Sequence, residues 1–115
     1  MSLTVETRDA GNVVVLTFRG RIVLGEGEKE VREAVEKVLA QGHKKIVFDV
    51  GHISYLDSCG IGVLVSRKIS AERAQAVIKA VVPASTTIPL PVVTFLHLAF
   101  EVFDELPKAV GSFGG

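Results

Sequence analysis

The chain has 115 residues, enough for one ordinary domain around a single core and too few for a second. Thirteen basic and 13 acidic residues cancel to a formal net charge of +0, which removes the electrostatic footprint of a nucleic-acid binder or an anionic-membrane binder. The single cysteine excludes an internal disulfide and any zinc site of the multi-cysteine type.

In chain order, Leu3 and Val5 alternate with polar neighbours. The turn signal Asp9-Ala10-Gly11-Asn12 then leads into Val13-Val14-Val15-Leu16-Thr17-Phe18, rich in β-branched residues. An antiparallel pair is expected, ending at Gly20. From there Val31, Ala34, Val35, Val38 and Leu39 recur at helical spacing, the stripe of an amphipathic helix closed by Gln41-Gly42. Its other face pairs Glu28 with Arg32 and Glu33 with Lys37 at i to i+4, so it reads as solvated. Ile46-Val47-Phe48-Asp49-Val50 is a near-continuous apolar run, suited to a central parallel strand covered on both faces. A loop follows, and Ile61, Leu64 and Val65 then share one face of a second helix running to about Ala74. Ala76 to Val82 reads as a strand, Pro91 to Leu98 as a third helix, Phe100 to Phe103 as a short strand and Pro107 to Phe113 as a final helical turn or two. Alternating strands and helices imply an α/β sandwich layered around a mixed sheet, with residues 1–115 as a single domain.

Residues 80–100 contain no Lys, Arg, Asp or Glu. A spanning helix needs about 20 mainly apolar residues, but Pro83, Pro89, Pro91 and the run Ser85-Thr86-Thr87 would break one here. No membrane span is expected. Read as an N-terminus, M-S-L-T-V-E-T-R-D lacks the basic and apolar regions of a signal peptide, so the expected location is the cytoplasm.

The chemistry-bearing stretch is Y-L-D-S-C-G-I-G, residues 55–62, at the start of the second helix. An esterase elbow needs a glycine two places before its serine, and Leu56 stands there instead. A cysteine phosphatase loop needs an arginine a few residues after the thiol; the first is Arg67, at least two helical turns on. Cys59 therefore reads as a small buried hydrophobe. Gly60-x-Gly62 lacks the third glycine of a dinucleotide fingerprint, with Val65 in its place, and the G-K-[ST] lysine of a P-loop is missing too. His43, His52 and His97 carry no ligand spacing, so neither metal nor cofactor is expected.

Asp57 or Ser58 would cap the helix. Two glycines in its first turn each cost about 1 kcal/mol of helix propensity relative to Ala, which a segment built only for stability would avoid. They leave Ser58 open to close approach by another protein. A phosphate there would add roughly −1.5 to −2 charges at the positive end of the helix dipole and beside Asp57.

The segment from Val47 through Gly51-His52-Ile53-Ser54-Tyr55-Leu56-Asp57-Ser58-Cys59-Gly60-Ile61-Gly62 to Val65 resembles the signature of STAS domains, specifically the bacterial anti-sigma factor antagonists: an apolar strand, a loop ending D-S-[ST]-G-[LI]-G, and a helix. The resemblance implies a STAS-like α/β sandwich, with a mixed four- to five-stranded sheet and helices mainly packed on one face. It also implies a non-enzymatic module whose Ser58 is phosphorylated by an anti-sigma factor with serine kinase activity. In its unphosphorylated form the module would bind that partner and release a sigma factor. Asp57, Ser58, Cys59, Gly60, Ile61, Gly62, Leu64 and Arg67 are the expected contact residues. The alternative is a non-switching STAS scaffold or interaction module, assembling with copies of itself or within a signalling or transport complex, for which the uncharged segment argues. Two departures from the family pattern stand out. Gly20-Arg21-Ile22-Val23 has Val where members often carry an acid, and Pro83 to Phe100 lacks the usual charged helix.

Overall fold

A computed structural model describes residues 3–114. β1 (Leu3–Ala10) and β2 (Val13–Ile22) form an antiparallel hairpin closed at Gly11-Asn12, with Ala10 opposite Val13. After α1 (Glu28–Ala40) come β3 (Lys45–Asp49), β4 (Ile53–Leu56), α2 (Ser58–Arg73), β5 (Val77–Val81), α3 (Leu90–Ala99), β6 (Val102–Phe103) and α4 (Leu106–Gly111). The sheet runs β1-β2-β3-β5-β6, parallel from β2 onward. Its remaining strand, β4, pairs with the far end of β2.

Period-two alternation along β2 divides the core. Val14, Leu16 and Phe18 enter the larger cluster, and Val13 and Val15 the smaller one on the opposite face. Ile46 and Phe48 of β3 join the larger side while Val47 joins the smaller. The Phe18 and Phe48 rings meet edge to face, with centroids 5.0 Å apart. Each such fully buried side chain contributes about 1.5–3 kcal/mol relative to an exposed one. Val31, Val35 and Val38 of α1, Leu64 and Ala71 of α2, and Leu96 of α3 cover the larger face. Ala109 of α4, with Leu106 and Val110, covers the other. Helices therefore lie mainly on one face, as expected.

Among the described residues the sheet has six strands, one more than the expected four to five. The additional one is β4, within the stretch read from sequence as a loop. Only Ile53 and Leu56 of its four residues are buried, so it shows neither an apolar run nor strict alternation. It exists because β2 is ten residues long. β3 pairs with Val14 to Thr17 and leaves Gly20 to Ile22 to be paired by β4.

The uncharged segment from Pro83 folds into a loop and α3. Leu96 points inward, while Leu90 (77 % exposed), Phe95 (59 %) and Leu98 (79 %) face solvent. Among the described residues no helix is long and apolar enough to cross a membrane.

Candidate functional site

β4 delivers the chain to Asp57 in extended backbone (φ −102, ψ −175), which ends the strand and opens α2. The Asp57 Oδ1 accepts the backbone N–H of Gly60 at 2.8 Å, the N-cap bond that satisfies an orphan donor of the first turn. Its Oδ2 accepts the N–H of Leu24 at 3.0 Å, from the loop between β2 and α1. One carboxylate therefore ties the helix start to a loop remote in sequence. These donors, Gly60 first and Leu24 second, hold the Asp57 carboxyl below its usual range.

A depressed folded-state pKa gives stability that is fully present above the unfolded value, 3.8, and is lost as pH falls through the lower folded value. Asp57→Ala is expected to lower the thermal midpoint at neutral pH and to flatten its decline on acidification below the unfolded value. A midpoint-against-pH curve merely parallel to that of the parent protein would contradict this.

Ser58, the first helical residue, is exposed. Cys59 is exposed too, which corrects the expectation of a buried thiol. At the second position of α2 its side chain points away from the sheet, and Gly60 is the residue turned inward. A Cβ on Gly60 would lie 1.9 Å from the carbonyl oxygen of Ile22, at the end of β2. This glycine therefore permits contact between helix and strand, not clearance around the serine. Gly62 is exposed, and a Cβ there would meet nothing within 4 Å.

Ile61 is half-buried against the core. Leu64 is 0 % exposed, so the structure corrects its expected place on a contact surface: it anchors α2 from beneath. The Arg67 side chain is only 18 % exposed and turns toward α1, with Nη1 4.0 Å from Glu36 Oε2 and Nη2 donating to Ser66 Oγ at 3.2 Å. The outward face of the helix start is thus Ser58, Cys59 and Gly62.

Sequence reasoning missed Leu24, 77 % exposed on the loop that Asp57 pins. Its signal was a large apolar residue in Val23-Leu24-Gly25-Glu26-Gly27 with no helical or strand periodicity to claim it. Tyr55 is 63 % exposed beneath Arg21, whose Cζ lies 5.0 Å from the ring centroid. Val23, standing where an acid was expected, closes the loop through backbone bonds with Glu26 at 2.9 and 3.0 Å. Glu26 itself pairs with Arg21 at 3.3 Å. Among the described residues, no three His, Cys, Asp or Glu side chains gather as a metal site.

The family model of the STAS domain matches residues 4–109. None of the curated proteins compared matches the chain. Among solved structures, an anti-sigma factor antagonist from Mycobacterium paratuberculosis superimposes with a TM-score of 0.78 at 21% identity, covering 96% of this chain and 93% of its own. The anti-sigma factor antagonist SpoIIAA in its unphosphorylated form gives a TM-score of 0.72 at 16% identity, covering 99% of each chain. The Bacillus cell fate determinant SpoIIAA in its phosphorylated form gives 0.66 at 16% identity, covering 96% of this chain and 99% of its own. At these identities the likeness is one of fold.

Proposed function

The chain belongs to the STAS domain family, and from that premise we propose that it is an anti-sigma factor antagonist switched by phosphorylation of Ser58. The observation that carries this reading is the exposed Ser58 at the first position of α2, beside an Asp57 whose two oxygens are already held by Gly60 and Leu24. A capping carboxylate committed in this way holds the helix end rigid and leaves the hydroxyl for another protein to use. That SpoIIAA was solved both without and with its phosphate supports a family site of this type.

In the proposed cycle the protein catalyses nothing. An anti-sigma factor with serine kinase activity docks on Ser58, Cys59, Gly62 and the neighbouring Leu24, and its sigma factor is released. The kinase then transfers the γ-phosphoryl group of ATP to Ser58 Oγ, with loss of the hydroxyl proton and release of ADP, and the complex separates. Incubation with that kinase and ATP should place one phosphate on Ser58 and abolish the complex. Phosphate on another residue would overturn the assignment.

A second reading, a non-switching scaffold module or homodimer, is favoured by one observation, the outward Leu90, Phe95 and Leu98 of α3 in a segment without charge. It requires a dimer or larger assembly in sedimentation at micromolar concentration, and a monomer there removes its support.

A further inference from the structure

Beyond the Ser58 surface, a cavity of about 350 Å³ opens at the carboxyl ends of β5 and β6. Its position follows from topology. The chain leaving β5 crosses to α3 on the larger core face, and the chain leaving β6 crosses to α4 on the other. Where successive connections part to opposite faces, the ends of parallel strands leave a crevice, the place where open α/β sheets take their ligands. The volume is within the range of small-molecule sites, about 300–1,000 Å³.

The wall has a definite chemistry. Val82, Ile88 and Val93 give it an apolar floor, and Thr86, His97 and Asp104 are the polar groups on its margin. Among the described residues no lysine or arginine lines it. The adjoining N-terminus of α3 offers an anion little: Pro91 has no N–H, and the N–H groups of Val92 and Val93 both donate to the Pro89 carbonyl, at 3.0 and 3.1 Å. Asp104, on the margin, and its chain neighbour Glu105 share a single cation, Lys108, at 3.2 and 3.9 Å. Two carboxylates against one ammonium leave a net negative charge. A phosphate- or carboxylate-bearing ligand is therefore disfavoured, and a cation with an apolar body is favoured.

We infer that this cavity binds a small amphiphilic amine, its apolar body on Val82, Ile88 and Val93 and its ammonium group at the Asp104 carboxylate. Thr86 and His97 supply further hydrogen-bonding positions at the rim. The site involves none of the residues assigned to anti-sigma factor docking, so it stands whether or not Ser58 is phosphorylated.

The test is an NMR titration of the whole protein with n-hexylamine, 1-hexanol and hexanoate, which share one hydrocarbon body and differ in head-group charge. The amine should shift the methyl signals of Val82, Ile88 and Val93 and bind about tenfold tighter than hexanoate, with the alcohol between them. Asp104→Asn, on an exposed side chain that leaves the core intact, should reduce the amine to the affinity of the alcohol. Val93→Phe should fill the cavity and abolish the shifts from all three probes. Equal affinity for amine and hexanoate, shifts confined to other parts of the molecule, no shifts at all, or indifference to Asp104→Asn would each overturn the assignment.

Discussion

Gly60→Ala is expected to destabilise the protein by about 3 kcal/mol, at the upper end of the cost of overpacking a core. The added methyl would lie 1.9 Å from the Ile22 carbonyl oxygen, 2.8 Å from its carbon and 2.7 Å from Leu56 Cδ1. Two of these three atoms are backbone, so no rotamer change relieves the clash. The first turn of α2 would have to retreat from β2, loosening both the Asp57 cap and the packing of Leu64. In a domain of this size the thermal midpoint should fall by at least roughly 10 °C. Gly62→Ala provides the internal control. It sits in the same turn with open space around it, and should raise stability by about 0.5–1 kcal/mol through better helix propensity and a less flexible unfolded chain. Denaturant unfolding of both variants measures the contrast. A Gly60→Ala variant as stable as the parent would mean that α2 does not lie against Ile22.

The second large effect belongs to binding. Phosphate on Ser58, or the Ser58→Asp substitution, places negative charge at a helix N-terminus, where the dipole welcomes it, so the fold should be unharmed. The same charge stands beside Asp57, ionised and pinned by its two N–H donors, on the face proposed to meet the anti-sigma factor. An added charge desolvated in that interface without a partner cation costs several kcal/mol, so affinity for that partner should fall roughly a hundredfold, or about 2.7 kcal/mol. Calorimetric titration would show the loss, with an unchanged unfolding midpoint showing that it comes from docking. Ser58→Ala should bind and resist phosphorylation. Undiminished binding by Ser58→Asp would sink the mechanism, and so would a variant that unfolds.

Elements whose signal is local were legible in the sequence. The alternation of Val13 to Phe18, the helical stripe from Val31 to Leu39 and the apolar run Ile46 to Phe48 name their own structures, because the periods of strand and helix are imposed within a few residues. A cap at Asp57 or Ser58 was legible for the same reason, and the structure gives it to Asp57, whose bond reaches only to Gly60. The third helix opening near Pro91 was read from proline's tolerance in a first turn.

What escaped the sequence depends on partners far along the chain. β4 is a strand because the end of β2 was left unpaired, a fact about the length of another element. Asp57 reaches Leu24 only because the β2–α1 loop folds back over the helix start. The outward turn of Cys59, the inward turn of Gly60 and Leu64, and the retreat of Arg67 toward Glu36 follow from one rotation of α2 about its axis. That a helix begins at Asp57-Ser58 and that its first turn is short of side chains follows from local spacing alone. Which glycine admits β2 and which lies open beside Ser58 depends on packing, because the roll of a helix on a sheet is set by contact with Ile22 and not by spacing within the helix.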